Sequence, residues 1–250
     1  MSINIISQNV MCWEKENIGT YAVRRPLLKK IFCNYDADII GMQEVTKVWE
    51  KYFDSDLKDF KKLLVYRGKH NKEAVPVFWK KDKLEALDYG HFWLSETPDV
   101  ESFGWNAACL RITCWVLFKL KENGKTFAFV NTHLDHVSEE ARINGLKLIR
   151  NFIEKRFGKD IPLVLTGDFN ALPDSETVKN ANNLFNDARK VAKETTNEIT
   201  FHGYSDSINQ IIDYIYLSHN IKCEKFQVLK EFDNGNPQSD HYGLLAKITI

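Results

Sequence analysis

The stretch that most suggests chemistry is the segment Leu163–Asn170. Its first four residues, Leu-Val-Leu-Thr, are typical of a buried strand, and Gly167 follows them. Asp168 and Asn170 come next, and residues two apart in extended backbone point to the same side. A carboxylate and an amide presented together suit a hard divalent cation or a phosphoryl group. Gly, Asp and Asn are also the favoured residues of turns, so this stretch alone is equally compatible with a turn.

Other polar residues occupy the same kind of position, next to the end of an apolar strand. Asn9 follows the first such strand, Glu44 the second, and His133 a third. Asp240 and His241 come just before the last strand. Each of them taken singly fits a turn, a cap or a structural hydrogen bond. Strands of one sheet that end together would instead bring them into a single cavity.

Asp213 interrupts the apolar run Ile211–Tyr216, where a buried carboxylate would rarely be left unpaired. Several carboxylates held within a few ångströms of one another cannot all stay ionised without a compensating cation. We therefore expect Mg²⁺, with Mn²⁺ as the alternative, because both take oxygen ligands and keep several waters.

The elements that must position these residues can be read from the apolar pattern. The first sixty residues predict a strand over Ile3–Val10, a helix over Tyr21–Phe32, a strand over Ala37–Met42 and a helix over Val45–Leu57. Residues 61–120 are rich in aromatic and β-branched side chains and predict strands at 75–79, 84–87 and 111–118, with an ordered loop at 93–106.

The second half continues with a strand over Thr126–Thr132, joined to the previous strand through an Asn-Gly hairpin turn. Ser138 is a predicted N-cap for a helix that extends to Phe157. A short helix after Pro173, a polar exposed segment at 190–197 and three closing strands at 211–217, 223–229 and 242–250 complete the prediction. Without a repeat or a linker in the sequence, we expect one domain over residues 1–250.

Composition narrows the class of protein. The chain has 250 residues, of which 44% are hydrophobic and 27% charged, as in an ordinary globular protein. Its 34 basic and 34 acidic side chains cancel, which argues against diffuse attraction to duplex DNA but is compatible with a local basic patch. The five cysteines are odd in number and form no C-x-x-C pair, which disfavours a disulfide framework and a thiolate zinc site.

Targeting signals are not visible in the sequence. The amino terminus lacks a basic segment followed by an apolar core, and no apolar run approaches about 18 residues. We expect a cytoplasmic monomer that has no obligate protein partner and no membrane association, although a removed leader would leave no trace.

Six short motifs, in order and across nearly the whole chain, resemble those of the magnesium-dependent endonuclease/exonuclease/phosphatase superfamily. They are Ser7-Gln8-Asn9, Gln43-Glu44, Asn131-Thr132-His133-Leu134, Gly167-Asp168-Phe169-Asn170, Ile212-Asp213-Tyr214-Ile215 and Ser239-Asp240-His241. The segments 92–98, 131–136 and 200–203 further resemble a compact bacterial branch similar to deadenylase-type members. The resemblance implies an α/β (α+β) fold, a four-layer α/β/β/α sandwich of two facing mixed sheets, with the site at one rim.

The resemblance also implies roles for the acidic and amide residues. Glu44 would be the principal metal carboxylate, with Asn9 and Asp240 close by. Asp168 and Asn170 would hold the nucleophilic water and a phosphate oxygen, or a second metal. One departure concerns Gln8, which stands where relatives usually have an aromatic residue beneath the metal.

The resemblance also implies roles for two histidines, for the carboxylates that support them and for one arginine. By the same resemblance, His241 would contact the scissile phosphate, with Asp213 orienting its ring, and His133 would be a second phosphate-contacting imidazole. Glu73 would support His133, and Arg111 would bind phosphate.

Together these features predict a metal-dependent phosphodiesterase that acts by in-line attack of water. We expect a nuclease acting on single-stranded nucleic acid or ends, since zero net charge suits duplex tracking poorly. Trp93, Trp105 and His202 could stack on a base, although tryptophans also fill cores and loops. The alternative is a phosphatase or a lipid-headgroup (sphingomyelinase-like) phosphodiesterase. A non-enzymatic binding module is disfavoured because every motif position is filled.

Overall fold

The computed structural model of the protein describes residues 2–15, 19–70 and 72–250. The helices are α1 (Tyr21–Asn34), α2 (Lys47–Asp56), α3 (Glu139–Phe157), α4 (Glu176–Leu184) and α5 (Ala188–Val191). The strands are β1 (Ile3–Asn9), β2 (Ile39–Gln43), β3 (Phe60–Leu63), β4 (Val77–Lys80), β5 (Leu84–Trp93), β6 (Ile112–Leu120), β7 (Thr126–His133), β8 (Leu163–Asp168), β9 (Asn186–Asp187), β10 (Glu194–Thr195), β11 (Asp213–Leu217), β12 (Lys222–Leu229), β13 (Phe232–Asp233), β14 (Asn236–Pro237) and β15 (Gly243–Thr249).

Most strands belong to two mixed sheets. The first sheet has the order β10-β12-β15-β1-β2-β4-β3, and the second has the order β5-β6-β7-β8-β11-β9. Strand β1 runs parallel to β2 and β7 parallel to β8, whereas β15, β11 and β6 pair antiparallel with their neighbours. Strands β13 and β14 form a separate small hairpin. The predicted α/β class with two mixed sheets is confirmed.

The fold has four layers, two sheets between two layers of helices, and an apolar cluster fills each of the three spaces between them. The first lies between the sheets and contains Ile5 and Ala246 of one sheet together with Val116 and Phe129 of the other. The second packs α3 and α4 onto the outer face of the second sheet. The third packs α1 and α2 onto the outer face of the first sheet. Each sheet therefore buries both faces, which explains why its central strands are apolar almost throughout.

Strand register brings the predicted functional positions to one rim. Asn9 pairs with Gln43 at the ends of the parallel strands β1 and β2. His133 pairs with Asp168 at the ends of β7 and β8, and Asp168 also pairs with Asp213 at the start of the antiparallel strand β11. Since the carboxyl ends of parallel strands lie at the same edge of a sheet, residues far apart in sequence meet there.

The structure differs from the sequence prediction at several places. Asp213 does not interrupt an apolar strand, because β11 begins at this residue and the two isoleucines before it lie outside the strand. The segment 190–197 is largely exposed, as predicted, but it also contains the edge strand β10. Strand β3 was not predicted, and β5 extends to Trp93 rather than ending near Leu87.

The predicted helix after Ser138 is confirmed, because Ser138 Oγ accepts the Ala141 N–H at 3.1 Å as an N-cap. Within the described ranges, no helix combines the length and the apolar character that a bilayer crossing requires.

Candidate active site

A cavity of about 670 Å³ lies at the rim where these strand ends meet. Its wall includes six of the predicted catalytic and metal residues: Glu44, His133, Asp168, Asn170, Asp240 and His241. Asn9 and Asp213 lie behind this wall and touch it through hydrogen bonds. The six motifs therefore supply side chains to one place.

Asn9 connects the carboxylates of the two sheets. Its amide nitrogen donates to Glu44 Oε1 and to Asp168 Oδ2, both at 3.0 Å. Its amide oxygen accepts the Met11 N–H at 2.9 Å. Asn9, which is fully buried, thus holds the two carboxylates at a fixed separation.

Two of the site residues adopt a left-handed backbone. Glu44 has φ 63 and Asn170 has φ 48. Asn tolerates this region, whereas for Glu it is uncommon and costs free energy that the surrounding structure must offset. The backbone N–H of Cys12, which donates to Glu44 Oε2 at 2.8 Å, is one contact that stabilises the arrangement.

Asp168, Asn170 and His133 form a second set of contacts. Asp168 Oδ1 accepts the Asn170 backbone N–H at 2.9 Å, and the Asn170 amide nitrogen donates to Leu134 O at 3.1 Å. The same amide nitrogen lies 3.0 Å from His133 Nε2, an arrangement in which the imidazole accepts. Asp168 Oδ2 is 3.5 Å from that ring nitrogen.

Asp213 and His241 form a buried carboxylate–imidazole pair. The Asp213 Oδ2 to His241 Nδ1 distance is 2.9 Å, and the Asp213 backbone N–H donates to Thr200 Oγ1 at 3.1 Å. On the other side of the ring, His241 Nε2 lies 3.8 Å from Asp168 Oδ2. Phe201 covers the imidazole with a centroid distance of 4.6 Å. The pair fixes the orientation of the ring and directs Nε2 toward Asp168.

The electrostatics of the cavity follow from burial and from the crowding of charge. Burial, together with the Asp213 carboxylate, raises the pKa of Asp168 to about 7. Burial also raises the pKa of Asp240, with a further contribution from Glu44. At Glu44, burial opposes ionisation, but the hydrogen bonds from Asn9 and Cys12 outweigh it and lower the pKa. Carboxylates this crowded favour the binding of a compensating cation.

The two imidazoles of the site differ in charge. At His241, burial disfavours protonation, but the carboxylates of Asp213, Asp168 and Asp240 outweigh it and hold the pKa well above its usual value. At His133, burial and the guanidinium of Arg111 lower the pKa well below its usual value. One histidine is therefore cationic and the other neutral near pH 7.

The donor set fits a divalent cation. The ligand atoms of Glu44, His133 and Asp168 all lie within 4.8 Å of one another. Two of these three residues offer carboxylate oxygens, which suits Mg²⁺ or Mn²⁺. The ligand atoms of Asp168, Asp213 and His241 are equally close, but the His241 ring is protonated and bonded to Asp213, so this second group is not a metal-ligand set. Asp240 lines the same cavity.

A buried polar network below the cavity joins the sheets. Gln43 Nε2 donates to Asn131 Oδ1 at 2.8 Å, and Thr166 Oγ1 donates to the same oxygen at 3.0 Å. A Cβ on Gly41 would lie 2.5 Å from Thr166 Oγ1, so only glycine allows this approach of the sheets. Gln8 Nε2 donates to the carbonyls of Asn9 and His241, at 2.6 Å and 3.2 Å. Gln8 thus supports the site with hydrogen bonds to two backbone carbonyls.

Arg111 lies in the cavity wall and is 4% exposed. Its Nε lies 3.4 Å from Asp135 Oδ2 and its Nη2 lies 3.1 Å from His136 Nδ1, whereas Nη1 is buried without a partner. Arg67 lines the same wall, pairs with Glu73 and has a buried Nε without a partner. Glu73, predicted to support His133, is thus paired with Arg67, and its ligand atoms lie close to those of Cys12 and Glu44.

Two predicted substrate contacts lie elsewhere. His202 is buried beside a separate cavity of about 330 Å³. Its Nδ1 accepts the Tyr204 N–H at 3.2 Å and its Nε2 lies 3.0 Å from Ser239 O, so both ring nitrogens bind backbone. Trp105 is half-buried with φ 47, and its carbonyl accepts the Ser138 hydroxyl at 2.7 Å. The structure does not bring either side chain into the catalytic cavity wall.

Three residues at or next to the site were not predicted from the sequence: Arg67, Asp135 and Trp13. Arg67 and Trp13 line the cavity from loops without a periodic pattern, so no signal identified them. Asp135 could have been found, because it follows the third motif by one residue. Its carboxylate accepts four backbone N–H groups at 2.9–3.2 Å, those of Ala108, Cys109, Val137 and Ser138.

Comparison with known proteins agrees with this geometry. Residues 25–241 match the model of the endonuclease/exonuclease/phosphatase family. The endonuclease/exonuclease/phosphatase from Bacteroides vulgatus is 30% identical with a TM-score of 0.93, and the alignment covers 100% of this chain and 99% of that chain. The mannosyl-6-phosphatase from Bacteroides thetaiotaomicron is 27% identical with a TM-score of 0.90, covering 99% and 100% of the two chains.

A eukaryotic relative is more distant. The 3′–5′ exoribonuclease subunit Ccr4 of the Saccharomyces cerevisiae CCR4-Not complex is 23% identical over 90% of this chain, and the match spans 34% of that protein. The predicted likeness to bacterial proteins and to deadenylase-type members is confirmed. By its motifs, its sandwich fold and these matches, the chain belongs to the endonuclease/exonuclease/phosphatase family, whose members are hydrolases acting on phosphate esters.

Proposed function

We propose that this chain hydrolyses a phosphate ester with the help of Mg²⁺ or Mn²⁺ in the cavity described above. The observation that carries the proposal is the meeting, in one cavity, of the Glu44 and Asp168 carboxylates with the buried Asp213–His241 pair. Because the site draws on residues from Asn9 to His241, we propose that residues 1–250 act as one domain.

Glu44 and Asp168 would hold the cation, with Asp240 beside them. When bound, the cation neutralises the charge that develops on the phosphate and on the leaving oxygen. Asn9 keeps the two carboxylates in place through its amide nitrogen. The left-handed backbone at Glu44 lowers the stability of the fold. Such a cost is consistent with a carboxylate that is held in place to bind a cation.

The other site residues would handle the water and its proton. Asp168 lies between the two imidazoles, 3.5 Å from His133 Nε2 and 3.8 Å from His241 Nε2. A carboxylate in that position can receive a proton from an attacking water, which is worth about 10²–10⁴ in rate. Asn170 would orient the water or a phosphate oxygen from its position beside His133.

The cationic groups would bind the substrate's oxygens. His241, kept protonated by Asp213, can donate from Nε2 to the scissile phosphate. Arg111 and Arg67 also line the cavity, and each has a buried N–H without a hydrogen-bond partner. An anion next to them would offset the free-energy cost of those unpaired donors.

For the substrate, we propose single-stranded nucleic acid or nucleic acid ends, as the exoribonuclease relative suggests. The zero net charge of the chain is consistent with this choice, since duplex tracking relies on a strongly basic face. A sugar phosphate is the second candidate, because the mannosyl-6-phosphatase relative matches over nearly the full length of both chains.

The test is a hydrolysis screen with Mg²⁺ or Mn²⁺ present. It compares single-stranded RNA, single-stranded DNA, duplex DNA, mannose 6-phosphate and a sphingomyelin-type lipid. We expect hydrolysis of a single-stranded nucleic acid that exceeds hydrolysis of the duplex. Hydrolysis of mannose 6-phosphate or of lipid alone would refute the nuclease proposal and favour the corresponding phosphatase or lipid phosphodiesterase.

A further inference from the structure

Trp13 is the most exposed tryptophan of the chain. Its exposed fraction is 52%, whereas Trp49, Trp79 and Trp115 are buried and the other two are half-buried. Its side chain lines the catalytic cavity together with Glu44 and Asp240. An indole half in water at the mouth of a polar cavity leaves apolar area uncovered, and a bound ligand could cover it.

The backbone that carries Trp13 is held by a buried guanidinium. Arg24, which is fully buried, donates to Trp13 O at 2.7 Å, to Met11 O at 3.0 Å and to Gly19 O at 2.8 Å. It also donates to the carbonyl of Val10. An arginine that donates to four backbone carbonyls holds the backbone at those four residues.

The same loop is tied to the catalytic carboxylates. The Cys12 N–H donates to Glu44 Oε2 at 2.8 Å, and the Met11 N–H donates to Asn9 Oδ1 at 2.9 Å. Trp13 therefore follows directly after a residue bound to the principal predicted metal carboxylate. Because the backbone at Trp13 is held before binding, a ligand that stacks on the indole loses little free energy in ordering that backbone.

Leu172 provides a second exposed apolar side chain at the cavity. It is 43% exposed, lines the same cavity and lies two residues after Asn170 in the loop that follows β8. Trp13 follows β1, in the first sheet, whereas Leu172 follows a strand of the second sheet. The two side chains thus approach the cavity from its two opposite sheets.

We propose that Trp13 is a specificity residue that stacks on a nucleobase of the substrate while the scissile phosphate lies at the carboxylates. This inference rests on the proposed phosphoesterase function and adds the class of group that the substrate must carry. Stacking on an indole needs only the face of a base and accepts any base. Trp13 and Leu172 both present apolar side chains, which match the flat face of a base better than the hydroxyl groups of a bare sugar.

The experiment compares substrates that differ only in the base. A dinucleotide is paired with its fully abasic analogue, a 5′-nucleotide is paired with ribose 5-phosphate, and mannose 6-phosphate is added as a third arm. The proteins are wild type, Trp13→Ala, Trp13→Phe and Phe103→Ala, a matched control whose ring is 60% exposed but lies outside the cavity wall. The measured quantity is the ratio of kcat/KM for the substrate with a base to kcat/KM for the substrate without one.

We expect Trp13→Ala to lower this ratio about 5- to 150-fold, mainly through KM, since one stacked base contributes that much. Trp13→Phe should keep most of the ratio, and Phe103→Ala should leave it unchanged. An unchanged ratio in Trp13→Ala would overturn the proposal. So would a dependence on Trp13 as large for mannose 6-phosphate as for the nucleotide.

A binding measurement separates this proposal from the proposed function. Titration with the dinucleotide should quench the tryptophan fluorescence of wild type but not that of Trp13→Phe, and the abasic analogue should quench neither. If wild type hydrolyses none of these substrates but shows this quenching, the proposed reaction fails while the stacking site stands. Equal quenching in wild type and Trp13→Phe would refute the stacking site itself.

Discussion

At the scale of single residues, the pair formed by Asp213 and His241 determines whether a proton is available to the substrate's phosphate. The Asp213 carboxylate accepts from His241 Nδ1 at 2.9 Å, and the imidazole is buried beside Asp168. Its protonated form is stabilised by the carboxylates around it, so the pKa of His241 stays well above the ordinary value despite burial. A proton at Nε2 is then available to a phosphate oxygen over the physiological pH range.

Asp213→Asn should lower kcat about 10²–10⁴-fold, because the ring loses the charge that fixes its tautomer and its protonation. Loss of that carboxylate also lowers the pKa of His241, so the alkaline limb of the pH–rate profile should move to lower pH. The measurement is kcat against pH for both proteins, with Asp88→Asn as the control because Asp88 pairs with Arg156 on the surface. An alkaline limb that stays in place would contradict this role.

Residue-level prediction from sequence succeeded where a side chain lies at the end of a strand or directly after it. Glu44, His133 and Asp168 belong to this group, because the apolar pattern shows where their strands end. Prediction failed for functional residues that lie in loops. His202 and Phe201 are adjacent in sequence, yet His202 lines the separate cavity and Phe201 the catalytic one, a choice that tertiary packing makes.

At the scale of elements, Asp135 organises the segment that carries Arg111. It accepts backbone N–H groups both from the loop before β6 and from the turn that leads into α3. Burial opposes its ionisation, but these hydrogen bonds and the nearby Arg111 outweigh burial and lower the pKa of Asp135 to about 2. The ionised carboxylate therefore stabilises the folded state.

Asp135→Asn should lower the free energy of unfolding at pH 7 by about 2 kcal/mol, the order expected from that pKa shift. A carboxyl whose pKa falls on folding stabilises above its unfolded pKa and ceases to do so as the pH falls through its folded pKa. The difference between wild type and variant should thus shrink between about pH 4 and pH 2. Urea unfolding across this range measures it, with exposed Asp99→Asn as the control; a difference independent of pH would contradict the assignment.

Gly41→Ala tests the contact between the two sheets. The new Cβ would lie 2.5 Å from Thr166 Oγ1 and 2.7 Å from Asn131 Oδ1, so the sheets must move apart below the site. We expect a loss of about 1–3 kcal/mol or more in the free energy of unfolding. Gly145→Ala is the control, since the nearest atom to its Cβ is a leucine methyl at 3.3 Å. Equal stability of Gly41→Ala and wild type in urea would refute the close contact.

Element-level prediction from sequence found the long helices and the central strands, whose apolar periodicity is strong. It missed β3, a four-residue strand at the sheet edge whose middle residues are both lysine. Apart from the β6–β7 hairpin, which the Asn-Gly turn predicted, it could not pair the strands. One of the two neighbours of β1 is β15, more than 230 residues away, and such nonlocal pairing leaves no local sequence signal.

At the scale of the whole molecule, the two sheets act as the two halves of one site. Asn9 and Glu44 come from the first sheet and Asp168 and Asp213 from the second, and the shared apolar cluster between the sheets fixes their separation. The net charge of the chain is zero, so the overall charge gives no sign of this local crowding of carboxylates. The resemblance of the motifs predicted the sandwich, whereas the shape of the cavity and the presence of Arg67 in its wall depend on packing that sequence does not specify.

The central claim is that this cavity is a metal-dependent phosphoesterase centre, and the most direct measurement is turnover as a function of bound metal. Wild type and Glu44→Gln are treated with EDTA, assayed on the preferred substrate of the screen, and assayed again after addition of Mg²⁺. We expect wild type to be inactive in EDTA and to recover with Mg²⁺, while folded Glu44→Gln remains at least about 10²-fold slower, the size expected when charge stabilisation at the phosphate is lost. Turnover that persists in EDTA, or that is undiminished in Glu44→Gln, would contradict the claim.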